Sequence, residues 1–350
     1  MSFSKRHAIE DDVLDDYLDH LRALPFVRDL KAGRPHADGA VPIEVSTATG
    51  NVRLEAVEAS GAISYAAADH LVRRLRALKA PGILLAPEIG RELGRHLEQR
   101  GVLFIDKQGN CNVVIGEAYV ARVEGRRVAL RTPRGQTSMR AAGYKVLFAL
   151  LVEPELAKAP LRTIADRAGA SRQAASDALA RLVTAGLMDR YKESHRWVPH
   201  RKRTALERWL VGYTDVLRPA LLIGSFRTPD VAPHELEPRI VGAARDLPAW
   251  RWGGCAAGFR LTQHYRGERT VLHIDELTPE FRRALKAVPD ASGPLVILRF
   301  PGPTAQLGAT PDTVHPLLVY AEMLAEANER AREAAGEVAE KYLAELEDAR

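Results

Sequence analysis

The hydrophobic positions change period several times along this chain. Residues 12–24, DVLDDYLDHLRAL, set Val13, Leu14, Tyr17, Leu18, Leu21 and Leu24 on one helical stripe with acids outside it. VPIEVS (41–46) and VRLEAVEA (52–59) then read as short strands about Thr49-Gly50-Asn51, a hairpin-type turn. A helix follows from about Tyr65 to Lys79, its apolar face made by Ala68, Leu71, Val72 and Leu75. GILLAP (82–87) predicts a buried strand and PEIGRELGRHLEQRG (87–101) a helix. VLFID (102–106) and CNVVIG (111–116) predict two more strands. Elements alternating in this way imply a mixed sheet flanked by helices over residues 1–125.

The stretch 123–138, VEGRRVALRTPRGQTS, is rich in Arg, Gly and Pro and predicts a basic linker. Beyond residue 206 helical and strand patterns mix again, with strands expected at ALLIGSF (220–226), TVLHI (270–274) and LVILRF (295–300). One long charged helix is expected from Pro316 to about Leu346, bent at Gly336. Leu324, Ala327, Ala331, Ala334, Val338, Tyr342 and Leu346 form its apolar register. The expected organisation is an α/β multi-domain chain: a mixed α/β domain over 1–125, a helical DNA-binding block over 139–206, and a C-terminal α/β domain over 207–350.

Residues 139–206 carry the most specific pattern. In LRTIADRAGASRQAASDALARLVTAG (161–186) a first helix buries Ile164, Ala165 and Ala168, and Gly169 permits a tight turn. Ser171 then caps a second helix whose inner face is Ala175, Ala178, Leu179 and Leu182. AAGYKVLFALLVEP (141–154) supplies a preceding apolar helix, and GLMDRYKESHRWV (186–198) two short strands with a charged tip at Lys192, Glu193, Ser194 and His195. Three helices and a β-hairpin in this order define a winged helix-turn-helix. Such folds read duplex DNA with the second helix in the major groove, and they also serve as protein-interaction modules.

Charge placement sharpens that choice. Residues 136–206 hold 13 Lys or Arg against 6 Asp or Glu; with a net charge of +5 for the whole chain, the remainder is slightly negative. A basic block between near-neutral flanks points to a localised polyanion site. The expected DNA contacts are Ser171, Arg172, Gln173, Ser176 and Arg181 on the second helix, facing bases or phosphates. Arg190, Lys192 and Arg196 on the wing, with Arg201, Lys202 and Arg203 beyond it, are expected to face phosphates. Asp177 is the dissenting acid on that helix: it either accepts from a cytosine amino group or faces solvent.

Four stretches carry a resemblance. ILLAPEIGRELGRHLEQRGVLFIDKQGNCNVVI (83–115), AAGYKVLFALLVEPELAKAPLRTIADRAGAS (141–171), and LERWLVGYTDVLRPALLIGSFR (206–227) with PLLVYAEMLAE (316–326) resemble the AbiEi-type transcriptional regulators and antitoxins of type IV toxin–antitoxin systems. The resemblance implies binding to repeats in the protein's own promoter. It also implies opposition to a nucleotidyltransferase-like toxin without a stable complex being required.

An enzyme is the competing class. The front domain also resembles a degenerate restriction-endonuclease core, in which an acid on one strand and an acid-x-Lys on the next hold Mg²⁺. Glu44 and Glu58 would be those acids, but Ser60 stands where the lysine is needed, so cleavage is expected to be crippled. The alternative function is accordingly a nuclease targeted by the winged helix. A partner-binding protein without DNA chemistry is a third. Asp106, ahead of Lys107-Gln108-Gly109-Asn110, reads as a hairpin acid whose carboxylate accepts backbone N–H groups across the turn. His70, His96, His195 and His200 have no ligand spacing, and Cys111 and Cys255 form no CxxC, so neither metal nor cofactor is expected. WGGCAAG (252–258) and Trp250 and Trp252 read as close packing and core. No apolar run approaches the roughly 18 residues of a membrane span, and a cytoplasmic location is expected.

Overall fold

The computed structural model describes residues 14–36, 39–59, 63, 65–125, 139–192, 194–199, 201–229, 233–326 and 328–347. Within the expectations above, Val13, Ser60, Glu193, His200, Ala327 and linker residues 126–138 lie outside the described residues. The chain divides into two compact units, Met1–Gln136 and Thr137–Ala349.

The first unit begins with helix α1 (residues 14–22). Strands β1 (Asp29–Ala32), β2 (Val41–Thr47) and β3 (Gly50–Glu58) follow, then α2 (Tyr65–Arg76), β4 (Gly82–Ala86) and α3 (Arg91–Gln99). The unit closes with β5 (Leu103–Asp106), β6 (Cys111–Ile115) and β7 (Tyr119–Val123). All seven strands lie side by side in chain order. β3, β4 and β5 are parallel, and the remaining neighbours are antiparallel.

The pattern of burial explains the layers. In β4, Ile83 and Leu85 join Tyr17, Leu18 and Leu21 of α1, whereas Leu84 and Ala86 join Leu71 and Leu75 of α2 and Leu93 and Leu97 of α3. A strand covered on both faces has no polar side to show, which is why GILLA is continuously apolar. The two crossover helices share one face, as same-handed crossovers stepping in one direction require. The short edge strands β1 and β7 were not anticipated from sequence. β7 lays Tyr119, Ala121 and Val123 against the core and leaves Val120 55% exposed on its other side.

The second unit opens with α4 (Ala141–Val152), a short 3-10 turn (Pro154–Lys158), α5 (Leu161–Ala168) and α6 (Arg172–Thr184). The two-stranded hairpin β8 (Met188–Tyr191) and β9 (Ser194–Trp197) follows. Helix α7 (Lys202–Gly212) runs through a π turn (Tyr213–Leu217) into α8 (Arg218–Leu221). Next come β10 (Leu222–Arg227), α9 (Pro233–Ala243), β11 (Trp250–Gly253), α10 (Gly254–Thr262), β12 (Thr270–Ile274), α11 (Pro279–Ala284), β13 (Val288–Pro289) and β14 (Leu295–Arg299). The chain ends in α12 (Pro316–Leu324), α13 (Glu329–Tyr342) and α14 (Ala344–Glu347). The five-stranded sheet has the order β11-β12-β14-β10-β13 with one parallel pair, β12 and β14.

α4 ties the helical block to the rest of this unit. Trp209 Nε1 of α7 donates to the Tyr144 carbonyl at 3.1 Å. Phe148 stacks 5.4 Å from the Trp209 ring and meets His315 edge-on at 6.1 Å. A helix with eight fully buried residues needs neighbours on all sides, and here both halves of the unit supply them.

The single long terminal helix expected over 316–346 is corrected. It is three helices, broken between Leu324 and Glu329 and again at Leu343, with Gly336 buried inside α13. Asn328 starts the second of them, its side chain accepting from the Arg330 N–H at 2.9 Å. All nine residues of α12 are buried, and α13 packs back against it. A continuous rod would have left both apolar surfaces without a partner. WGGCAAG forms the junction of β11 and α10, where a Cβ on Gly258 would stand 2.5 Å from Met323 Sδ. Close packing explains these small residues.

Candidate nucleic-acid interface

α6 owes its start to Ser171, whose Oγ accepts from the Ala174 N–H at 3.1 Å. Ala175, Ala178, Leu179 and Leu182 point inward, which leaves Arg172, Gln173, Ser176, Asp177 and Arg181 on the outer face, all exposed. Asp177 accepts from Gln173 Nε2 at 2.8 Å one turn away, so the dissenting acid is engaged within its own helix. The α5–α6 turn is made at Gly169, with φ of +58°, a conformation glycine adopts without strain.

The hairpin presents the second group. Lys192 stands at its tip with φ of +54°, and Arg190 Nε donates to the Lys192 carbonyl at 3.4 Å. Tyr191 is 49% exposed, with the Arg196 guanidinium 4.3 Å and Lys192 Nζ 5.8 Å from its ring centre. An exposed aromatic ring holding two cations orders them at little entropic cost. Tyr191 was missed in the sequence reading, although an aromatic inside the basic run RYKESHR is a usable signal. Burial, and then the neighbouring Arg190, lower the His195 pKa and so disfavour a charge on its ring. Arg201 precedes α7, and Lys202 and Arg203 form its first turn, all three half-buried. The structure therefore gathers Ser171, Arg172, Gln173, Ser176 and Arg181 on one helix face and Arg190, Lys192 and Arg196 on one hairpin. Arg201, Lys202 and Arg203 fall at a third place, the start of α7.

The acids weighed for catalysis are dispersed. Glu44 is opposite Arg53 in the β2–β3 ladder and accepts from Asn51 Nδ2 at 3.1 Å. Glu58 lies five residues beyond Arg53, about 16 Å along the strand and on the opposite face of the sheet. Asp106 closes β5, next to Ala86 of β4, whereas Glu58 is in register with Leu85. Successive strand residues alternate faces, so Glu58 and Asp106 also project to opposite sides. Among the described residues no group of three or more His, Cys, Asp or Glu is placed to hold a metal.

Asp106 is completely buried and fully used. Its Oδ1 accepts from the N–H groups of Gln108 at 2.9 Å and Asn110 at 2.8 Å. Oδ2 accepts from the Ile89 N–H at 3.0 Å and from Asn110 Nδ2 at 2.8 Å. The Gly109 N–H donates to the Asp106 carbonyl at 2.9 Å, with Gly109 at φ +77°. Four donors around one carboxylate hold a charge inside the protein without any cation. Asp106 is the anchor of the β5–β6 turn.

A second buried acid lies in the C-terminal part. Glu322 is 1% exposed and accepts from Tyr213 Oη and from Arg218, at 2.8 Å through Nε and 3.1 Å through Nη2. Glu322 holds Arg218 charged, and burial with the same acid pushes the Tyr213 hydroxyl well above its usual range. His273 lies nearby, fully buried, its pKa lowered to about 4 by burial. Burial also raises the Cys255 thiol, which leaves it protonated and unreactive.

Residues 199–344 match the family model described as a transcriptional regulator, the AbiEi antitoxin of type IV toxin–antitoxin systems. The resemblance to AbiEi-type regulators is thus shown over the stretch from the end of the hairpin to the start of α14. No curated protein matches the chain. No solved structure matches it either. The family is one of regulators, and no helix among the described residues is long and apolar enough to cross a membrane.

Proposed function

We propose that this protein is a sequence-specific DNA-binding regulator that acts as the autoregulating antitoxin of a type IV toxin–antitoxin pair. In this reading α4, α5, α6 and the β8–β9 hairpin form a winged helix-turn-helix, and α6 enters the major groove N-terminus first. Arg172, Gln173 and Ser176 face bases; Ser171, Arg181, Arg190, Lys192, Arg196, Arg201, Lys202 and Arg203 face phosphates. Residues 207–350 carry the antitoxin function against a nucleotidyltransferase-like toxin, and residues 1–125 form a nuclease-like domain without nuclease activity. The protein works in the cytoplasm on repeats in its own promoter.

The single observation that carries the reading is the outer face of α6, exposed and polar immediately after a capped N-terminus, beside a basic hairpin. The test is fluorescence anisotropy with duplex DNA from upstream of its own gene. Arg172→Ala and Gln173→Ala should each lose about 1–3 kcal/mol for the specific duplex and little for a scrambled one. Equal affinity of both variants and the wild type for the specific duplex would remove α6 as the reading helix.

A further inference from the structure

Gly169 is held from two sides. Lys145 Nζ of α4 donates to its carbonyl at 3.5 Å. On the other side a Cβ at Gly169 would stand 2.9 Å from Gly302 Cα, and one at Gly302 would stand 2.5 Å from the Ala168 carbonyl carbon. Two glycines therefore let the segment after β14 touch the α5–α6 turn backbone to backbone. Thr304 fastens the contact: its Oγ1 donates to Glu153 Oε1 at 2.8 Å and lies 3.0 Å from the Arg167 carbonyl. Glu153 in turn grips Arg167 through two bonds, at 2.8 and 3.0 Å.

Arg299, the exposed last residue of β14, stands three residues before Gly302 in the segment that makes this contact. Burial, and then the Arg299 guanidinium, lower Lys145 from its ordinary value. Among the described residues neither cation has an acidic partner. Two cations within electrostatic reach of each other repel, and a bound polyanion removes that repulsion. Ser171 caps α6 only two residues past Gly169, so the pair flanks the start of the helix assigned above to the major groove.

We propose that Lys145 and Arg299 form a further phosphate-contact site on duplex DNA, so that the C-terminal part of the chain supplies one of its two cations. The inference rests on the DNA-binding reading and extends it to a residue about 100 positions beyond the wing. It also makes the segment from Arg299 to Thr304 a physical link between the C-terminal sheet and DNA.

The experiment uses the full chain with the upstream duplex and a scrambled duplex of equal length, across a salt series. Lys145→Gln and Arg299→Gln should each lower the slope of log K against log salt by about 0.9 and weaken both duplexes alike. Arg299→Lys should keep the wild-type slope. The thermal midpoint of Arg299→Gln should be unchanged or higher, because a like-charge repulsion has been relieved. Wild-type slopes in both Gln variants, while Arg172→Ala still loses the specific duplex, would overturn this site and leave the DNA-binding reading standing. A wild-type protein that binds neither duplex would overturn both.

Discussion

Asp106 in the first unit and Glu322 in the second are both buried carboxylates, and the chain accommodates them in opposite ways. Asp106 is surrounded by N–H donors, three of its four from residues 108 and 110 in its own turn. Glu322 is met by Arg218 and Tyr213, more than 100 residues earlier in the chain. The first arrangement is local and keeps the charge with dipoles alone. The second is a buried ion pair that exists only when two distant helices are packed. A buried charge that the fold itself satisfies is architecture, and neither acid is left over for a ligand.

The largest effect expected from breaking this comparison is in Glu322→Ala. It leaves the mostly buried Arg218 without its acid, and removing one partner of a buried pair costs about 3–5 kcal/mol. Urea unfolding should show that loss in the second unit. A loss below about 1 kcal/mol would mean that water reaches Arg218 and that the pair is not buried in solution.

Acid should come next. His273 and His315 have pKa values lowered to about 4 by burial, against about 6.5 in an unfolded chain. Glu322 and Arg218 face His273 with opposite effects, and burial outweighs both. Between pH 4 and 6.5 the unfolded state binds more protons, so stability is complete above about 6.5 and falls as the pH drops towards 4. Near pH 5 each histidine should cost about 2 kcal/mol. His315 Nδ1 also accepts from the Leu317 N–H at 3.1 Å at the start of α12, and protonation ends that bond. His315→Asn keeps a capping oxygen and should flatten the pH dependence; an unchanged slope in that variant would take His315 out of the account.

Asp106→Asn should be the mildest of the three. The carboxamide keeps one acceptor oxygen and turns its amino group towards N–H donors, at a cost of about 1–3 kcal/mol. The loss should appear in the unfolding of the first unit, with affinity for duplex DNA unchanged. Metal-dependent nicking of plasmid by the wild type that vanished in Asp106→Asn or Glu58→Gln would reverse the assignment and restore the nuclease.

Wherever the deciding interactions are close in sequence, the chain itself announced them. The spacing DKQGN marked the Asp106 turn because the acid and its donors lie within five residues. Ser171 and the small residues of α5 and α6 marked two crossing helices with a capped start, and alternating apolar runs marked most strands of both sheets. Tertiary structure alone decided the rest. β1 and β7 are too short to stand out in the sequence, and they take strand form where a neighbouring strand offers hydrogen bonds. The break between α12 and α13 follows from two apolar helix surfaces that bury each other only if the chain turns back. Arg218 and Glu322, or Glu153 and Thr304, meet through contacts over 100 residues or more. No local pattern encodes such a meeting, because loop closure and packing, rather than neighbouring residues, supply its free energy.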